Sequence, residues 1–209
     1  MSLNYVKDGA AIYRESFATI RREADLSRFS PDLSRAVVRM IHASGMTDLP
    51  QLVASSENAA ENGRHALLQG APILCDSEML AKGIIRSRLP HNNEVVCTLN
   101  DARTLSLAAQ LQTTRSAAAV ELWRGKLNGA VIVIGNAPTA LFHLLEMVEA
   151  GAPKPSLVVG VPVGFVGAAE SKEALAQNRI GIPYITVHGR RGGSAIGAAA
   201  VNALTSEKE

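Results

Sequence analysis

From residue 130 onward the chain alternates unbroken runs of Val, Ile and Leu with helical stretches, and this constrains its fold more than any other feature. The runs fall at 130–134 (Ala-Val-Ile-Val-Ile), 157–159 (Leu-Val-Val) and 184–187 (Tyr-Ile-Thr-Val). Helices are expected over 138–149, 169–177 and 194–204. Strands apolar on both faces and separated by helices form a parallel sheet covered on both sides and joined by right-handed crossovers. Two earlier runs, 72–75 and 94–99, extend the sheet, with Pro90 and His91-Asn92-Asn93 as turn chemistry between them. A helix over 114–127 leads into the strand at 130–134. The expected architecture is α/β: one domain over 1–209, a mainly parallel sheet with helices on both faces, and a helical N-terminal region.

That N-terminal region has clear punctuation. Asp8 caps a helix to about residue 24, with Ile12, Ser16 and Ile20 along one side. Ser30-Pro31 pairs an N-cap with proline at the first helical position. The helix that follows carries Leu33, Val37, Met40, Ile41 and Ser44 on one face and stops at Gly45. A third helix is expected over 57–69, capped by Ser56 and ended by Gly70.

Composition narrows the function. With 47% hydrophobic and 19% charged residues the chain is not a disordered one, and only 4% aromatics favours closely packed helices on a sheet. A net charge of +2, without a basic stripe or stacking aromatics, excludes nucleic acid as the expected partner. The apolar stretch 157–169 is interrupted by Gly160, Pro162, Gly164 and Gly167 and is too short to cross a bilayer. The N-terminus lacks the apolar core of a secretory signal, so a cytoplasmic location and no membrane are expected. Cys75 and Cys97 form no CxxC and read as buried free thiols.

Ligands of such sheets bind beyond the carboxyl ends of the strands. The loops there read Gly135-Asn136-Ala137-Pro138-Thr139, then 160–167 with Gly164 at its centre, then His188-Gly189-Arg190-Arg191-Gly192-Gly193-Ser194. Each opens a helix, whose first N–H groups are unpaired donors, so the three loops make a rim suited to carboxylates or phosphates. No phosphate-loop motif is present, so a nucleotide is not specifically indicated.

The five histidines, His42, His65, His91, His143 and His188, do not pair at metal-ligand spacing, and no metal is expected. His42 falls opposite the Leu33/Val37/Met40 face, beside Arg35, Val38 and Arg39, in the last helical turn. Terminal carbonyls favour its protonated ring and Arg39 opposes it, and an imidazole so placed can give and retrieve a proton. Tyr13 and Ser16 lie about one turn apart on the first helix. Arg86 and Arg88 share a face if that segment is extended. Arg115, at a helix start where a cation is disfavoured, is a candidate anion binder.

Several segments then resemble the precorrin-8X methylmutase family. They are Met40-Ile41-His42-Ala43-Ser44-Gly45, Gly70-Ala71-Pro72-Ile73-Leu74-Cys75-Asp76, Thr114-Arg115-Ser116-Ala117-Ala118, Gly135-Asn136-Ala137-Pro138-Thr139, Gly192-Gly193-Ser194-Ala195 and the long string 162–172. The resemblance implies a cobalamin-pathway isomerase that moves a methyl group from C11 to C12 of precorrin-8X, giving hydrogenobyrinate. It implies His42 as proton donor and acceptor, no metal or organic cofactor, a homodimer, and hand-off of product to the next enzyme. The substrate, a polycarboxylated corrin precursor, would meet Tyr13, Ser16, Arg86, Arg88, Arg115, Asn136, Gly164, Gly193 and Ser194. The rival readings are a corrinoid carrier without catalysis and a nucleotide-dependent α/β enzyme.

Overall fold

The computed structural model describes residues 3–205. Among them, six strands form one sheet: β1 (Val53–Ser55), β2 (Ile73–Cys75), β3 (Val95–Cys97), β4 (Val131–Ile134), β5 (Leu157–Gly160) and β6 (Tyr184–Val187), in the order β1-β6-β5-β4-β2-β3. All neighbours are parallel except β1, which runs antiparallel along β6. The mainly parallel α/β sheet expected from the Val/Ile runs is the one observed.

Strand periodicity sorts the core into two faces. Ile73, Cys75, Val131, Val133, Leu157, Val159, Ile185 and Val187 point to one side. They pack beneath α2 (Pro31–Ser44), α3 (Ala59–Leu68), α4 (Glu78–Gly83) and α9 (Ser194–Leu204), with α1 (Gly9–Glu23) laid on α2. Leu74, Ile132, Ile134 and Val158 point to the other, against α6 (Arg115–Glu121), α7 (Pro138–Glu149) and α8 (Ala168–Ala176). Each fully buried Val, Leu or Ile adds about 1.5–3 kcal/mol of transfer free energy. This explains why three- and four-residue strands suffice.

The structure departs from the sequence reading where local signals compete. The helix expected over 57–69 begins at Ala59 behind Asn58, which takes a left-handed conformation. Ser56 does not cap it; its Oγ accepts the Tyr184 N–H at the β1–β6 edge. The strand expected over 94–99 shortens to β3. The helix expected over 114–127 ends at Glu121, and a 3-10 turn over Arg124–Lys126 follows, where Gly125 weakens helical geometry and Trp123 turns inward to 1% exposure. Three elements escaped the reading: β1, α4, whose cap is Ser77 accepting from the Leu80 N–H, and α5 (Thr104–Gln110). No helix among the described residues is long and apolar enough to cross a membrane.

Candidate active site

α2 is held at both ends by its sequence. The Ser30 side chain accepts the Leu33 N–H, and Gly45 closes the helix at φ +69°. This fixes His42 in the last turn. α1, capped by Asp8, presents Tyr13, Ser16 and Phe17 to it. Ser16 Oγ lies 2.9 Å from His42 Nδ1. The Tyr13 and Phe17 ring centroids stand 5.4 and 5.1 Å from the imidazole. With Nδ1 engaged, Nε2 is the ring atom left to exchange a proton with a ligand.

His42 and Ser16 line a groove of about 430 Å³ between the two helices, walled by Val6, Ile12, Ile20 and Ile41, with Glu15, Thr19 and Thr47 at its polar positions. Apolar walls with a few convergent polar groups are the usual make-up of a small-molecule site. His42 is exposed, as its helical phase requires, but its expected neighbours differ. Val38 and Arg39 are buried, at 0% and 9% exposure, so the His42 side of α2 is largely covered.

Arg86 and Arg88 lie in a 3-10 turn, so the extended geometry that would align them is absent; their exposed side chains part. Arg115 opens α6, exposed, next to a 2.8 Å hydrogen bond between Thr114 Oγ1 and Thr139 Oγ1 that draws the starts of α6 and α7 together. The predicted contacts thus fall into three groups. Tyr13 and Ser16 meet His42, while Arg115, Asn136, Gly164, Gly193 and Ser194 lie at the strand-end rim, and Arg86 and Arg88 sit apart in their own turn. The ion pair of Arg191 Nη1 with Asp48 Oδ2, at 2.7 Å, links the rim to the segment following α2.

The rim is organised around a residue that the sequence reading missed. Asp76, at 3% exposure, accepts the N–H of Gly135 on Oδ1 and those of Asn136 and Ala137 on Oδ2, at 3.0, 2.8 and 2.8 Å. The donors of the turn that leads into α7 are therefore satisfied from within. Burial pushes this carboxyl above its usual range, against the pull of the three N–H groups. The other rim donors are also engaged: the Gly193 N–H with the Val161 carbonyl, the Gly164 N–H with the Arg190 carbonyl, and Ser194 Oγ with Ser77 Oγ. The glycines serve close packing. A Cβ on Gly192 would lie 2.2 Å from the Val161 carbonyl oxygen, and one on Gly135 would lie 2.8 Å from Ser194 Cα.

Two further groups shape the surroundings. Lys172 is fully buried and its ammonium donates to the Arg191 carbonyl at 2.6 Å; burial pushes it down to about 8. Cys75 and Cys97 are register partners on β2 and β3. Both are free, but Cys97 is only half-buried, contrary to expectation, because β3 is the sheet edge. Burial raises both thiols, Cys97 to about 11.

Comparison with known proteins follows the same residues. The family profile described as precorrin-8X methylmutase matches residues 11–207. The precorrin-8X methylmutase of Pseudomonas aeruginosa is 59% identical over 207 residues, spanning 99% of this chain and all of that protein. That of a Sinorhizobium species is 57% identical over 201 residues, 96% of each chain. A crystal structure of the Thermus thermophilus precorrin-8X methylmutase superposes with a TM-score of 0.84 at 40% identity, covering 93% of this chain and 96% of that one.

Proposed function

The chain belongs to the precorrin-8X methylmutase family, and on that premise we propose that His42 supplies and retrieves the proton of its methyl shift. The activity is that of a cobalamin-biosynthesis isomerase: precorrin-8X enters, a methyl group moves from C11 to C12, and hydrogenobyrinate leaves. Substrate and product are isomers, so any proton lent to the macrocycle must be recovered.

The observation that carries the proposal is the Ser16–His42 pair in the wall of an apolar groove. In the proposed cycle Ser16 Oγ accepts from Nδ1–H in both the charged ring and the Nδ1–H tautomer of the neutral one, which leaves Nε2 to cycle its proton. Protonation makes the conjugated ring electron-poor and eases migration to the neighbouring carbon. Loss of the proton to the same Nε2 completes the new conjugation, and one group serves both steps. Tyr13 adds an aromatic surface and a phenol, and Arg86, Arg88 and Arg115 are offered to the carboxylate arms. Asn136, Gly164, Gly193 and Ser194 border the rim, where their main role is to shape it. No metal or organic cofactor enters the scheme.

Small-molecule sites run from ~300 to ~1,000 Å³, and a groove of about 430 Å³ takes one edge of a tetrapyrrole. A second copy of the chain closing over the macrocycle fits the exposed Tyr5, Tyr13, Phe165 and Val166. The proposal therefore includes a homodimer working in the cytoplasm and handing its product to the next enzyme.

The test is His42→Ala, assayed with purified precorrin-8X. Removing an acid–base group costs about 10²- to 10⁴-fold in rate, with product binding retained. Full turnover with unchanged pH dependence removes the role. A bound macrocycle whose spectrum never changes on wild-type protein identifies a carrier instead.

A further inference from the structure

The chain's two cysteines are separated by α4 and the turn at Arg86–Arg88, yet the sheet brings them together. Cys75 and Cys97 are register partners on the parallel strands β2 and β3, and both side chains join the core on the same face as Ile73 and Val95. Neighbouring strands lie ~4.8 Å apart, and a disulfide spans Cα atoms about 4.4–6.8 Å apart. The backbone is therefore already within range of a bond. The two positions differ in freedom. Cys75 is fully buried on a strand flanked by β3 and β4, and the next residue donates its N–H to the Val133 carbonyl at 3.2 Å. Cys97 is half-buried on the edge strand, which has one neighbour among the described residues. Packing alone asks for a small apolar side chain at each site and does not ask for two thiols facing each other.

We infer that Cys75 and Cys97 form a reversible redox site, at which a low-molecular-weight disulfide such as oxidised glutathione converts the two thiols to an intramolecular disulfide. Cys97, the reachable thiol, loses its proton to solvent and attacks one sulfur of the reagent. A bond from Cys97 to glutathione forms and one glutathione thiolate leaves. The Cys75 sulfur then attacks the Cys97 sulfur. The Cys75–Cys97 bond forms, and the second glutathione leaves with the Cys75 proton. Two protein thiols are oxidised and one reagent disulfide is reduced to two thiols. A disulfide holds its Cβ atoms about 3.5–4.5 Å apart, so β3 must close on β2 by ~1 Å or less. That strain falls on β3 and on Thr98, whose Oγ1 donates to the Ala119 carbonyl of α6 at 2.7 Å. A strained bond is readily reduced, which suits a transient modification rather than a permanent staple. Neither cysteine lines the α1–α2 groove, so the inference does not depend on the role of His42.

The experiment incubates the native protein with oxidised glutathione, caps the remaining thiols with iodoacetamide and weighs the intact chain by mass spectrometry. The expected product is lighter by two hydrogens, carries no cap and yields one cross-linked pair of tryptic peptides. Dithiothreitol restores both thiols. Cys75→Ala is expected to stop at the mixed disulfide on Cys97. Cys97→Ser is expected to stay unmodified, because Cys75 is out of reach of solvent. Burial pushes the Cys97 thiol up to about 11. The thiolate is the attacking form, so the rate should rise about tenfold from pH 7 to pH 8. Two capped thiols after prolonged incubation at pH 8 overturn the inference. A mixed disulfide on wild-type Cys97 that never resolves overturns it too. So does modification of Cys75 in Cys97→Ser at the wild-type rate, which marks reaction through the unfolded chain. If Cys75→Ala does not fold, the wild-type mass and the cross-linked peptides still decide.

Discussion

Ser16 and His42, 26 residues apart in the chain, meet at 2.9 Å between Oγ and Nδ1, so the imidazole is oriented by a different helix from the one that carries it. The ring can turn about χ2, and only a partner on α1 fixes which nitrogen faces the groove.

Ser16→Ala should therefore lower kcat without unfolding the protein, since Ser16 is only partly buried. The expected loss is about tenfold, or ~1.4 kcal/mol of transition-state stabilisation. Thr19→Ala, which alters the same groove without touching the ring, should cost much less. Steady-state assays of both variants make the comparison.

Asp76→Asn should destabilise the fold by about 2–4 kcal/mol. The carboxylate accepts three N–H groups, and an amide would turn an NH₂ toward donors on one side. Urea unfolding measures the loss. A variant as stable as wild type would show that the start of α7 does not depend on this residue.

Gly192→Ala should cost about 1–3 kcal/mol by overpacking, because the new Cβ meets a backbone oxygen that cannot swing aside. Gly125→Ala offers the control. Nothing lies within 4 Å of that Cβ and no positive φ is required, so the change should be neutral or stabilising by about 0.4–1 kcal/mol. Thermal melts of the two should move in opposite directions, or only the first should move.

Lys172 predicts a pH dependence. The folded protein releases this proton near pH 8, while the ordinary value is 10.5. Between those values the unfolded chain holds more protons, so the contribution of Lys172 to stability rises with pH through that window and is flat below it. Lys172→Met lacks the rise. Urea unfolding at pH 7 and pH 9.5 should show wild type gaining on the variant at the higher pH. A constant difference would mean that the ammonium is better solvated than its burial implies.

The sequence reads most clearly where one force dominates. Continuous Val and Ile runs placed β4, β5 and β6, and the Ser30-Pro31 start and Gly45 stop placed α2, because burial and capping act within a few residues. β1 was missed because three residues at a sheet edge owe their pairing to β6, more than 120 positions away. The exposed position of His42 was legible from its helical phase. The burial of Arg39 was not, because the Phe17 ring that lies against it comes from α1. The glycine-rich rim was legible as a rim, but its donors looked available because Asp76 is 59 residues from Gly135.

The carboxylate of Asp76 also sets what the protein ignores. A helix entrance at the end of a parallel strand is where inorganic phosphate or sulfate commonly settles, and here that seat is taken by a side chain the fold brings with it. A dissolved oxyanion would have to displace that carboxylate to reach the Gly135, Asn136 and Ala137 N–H groups.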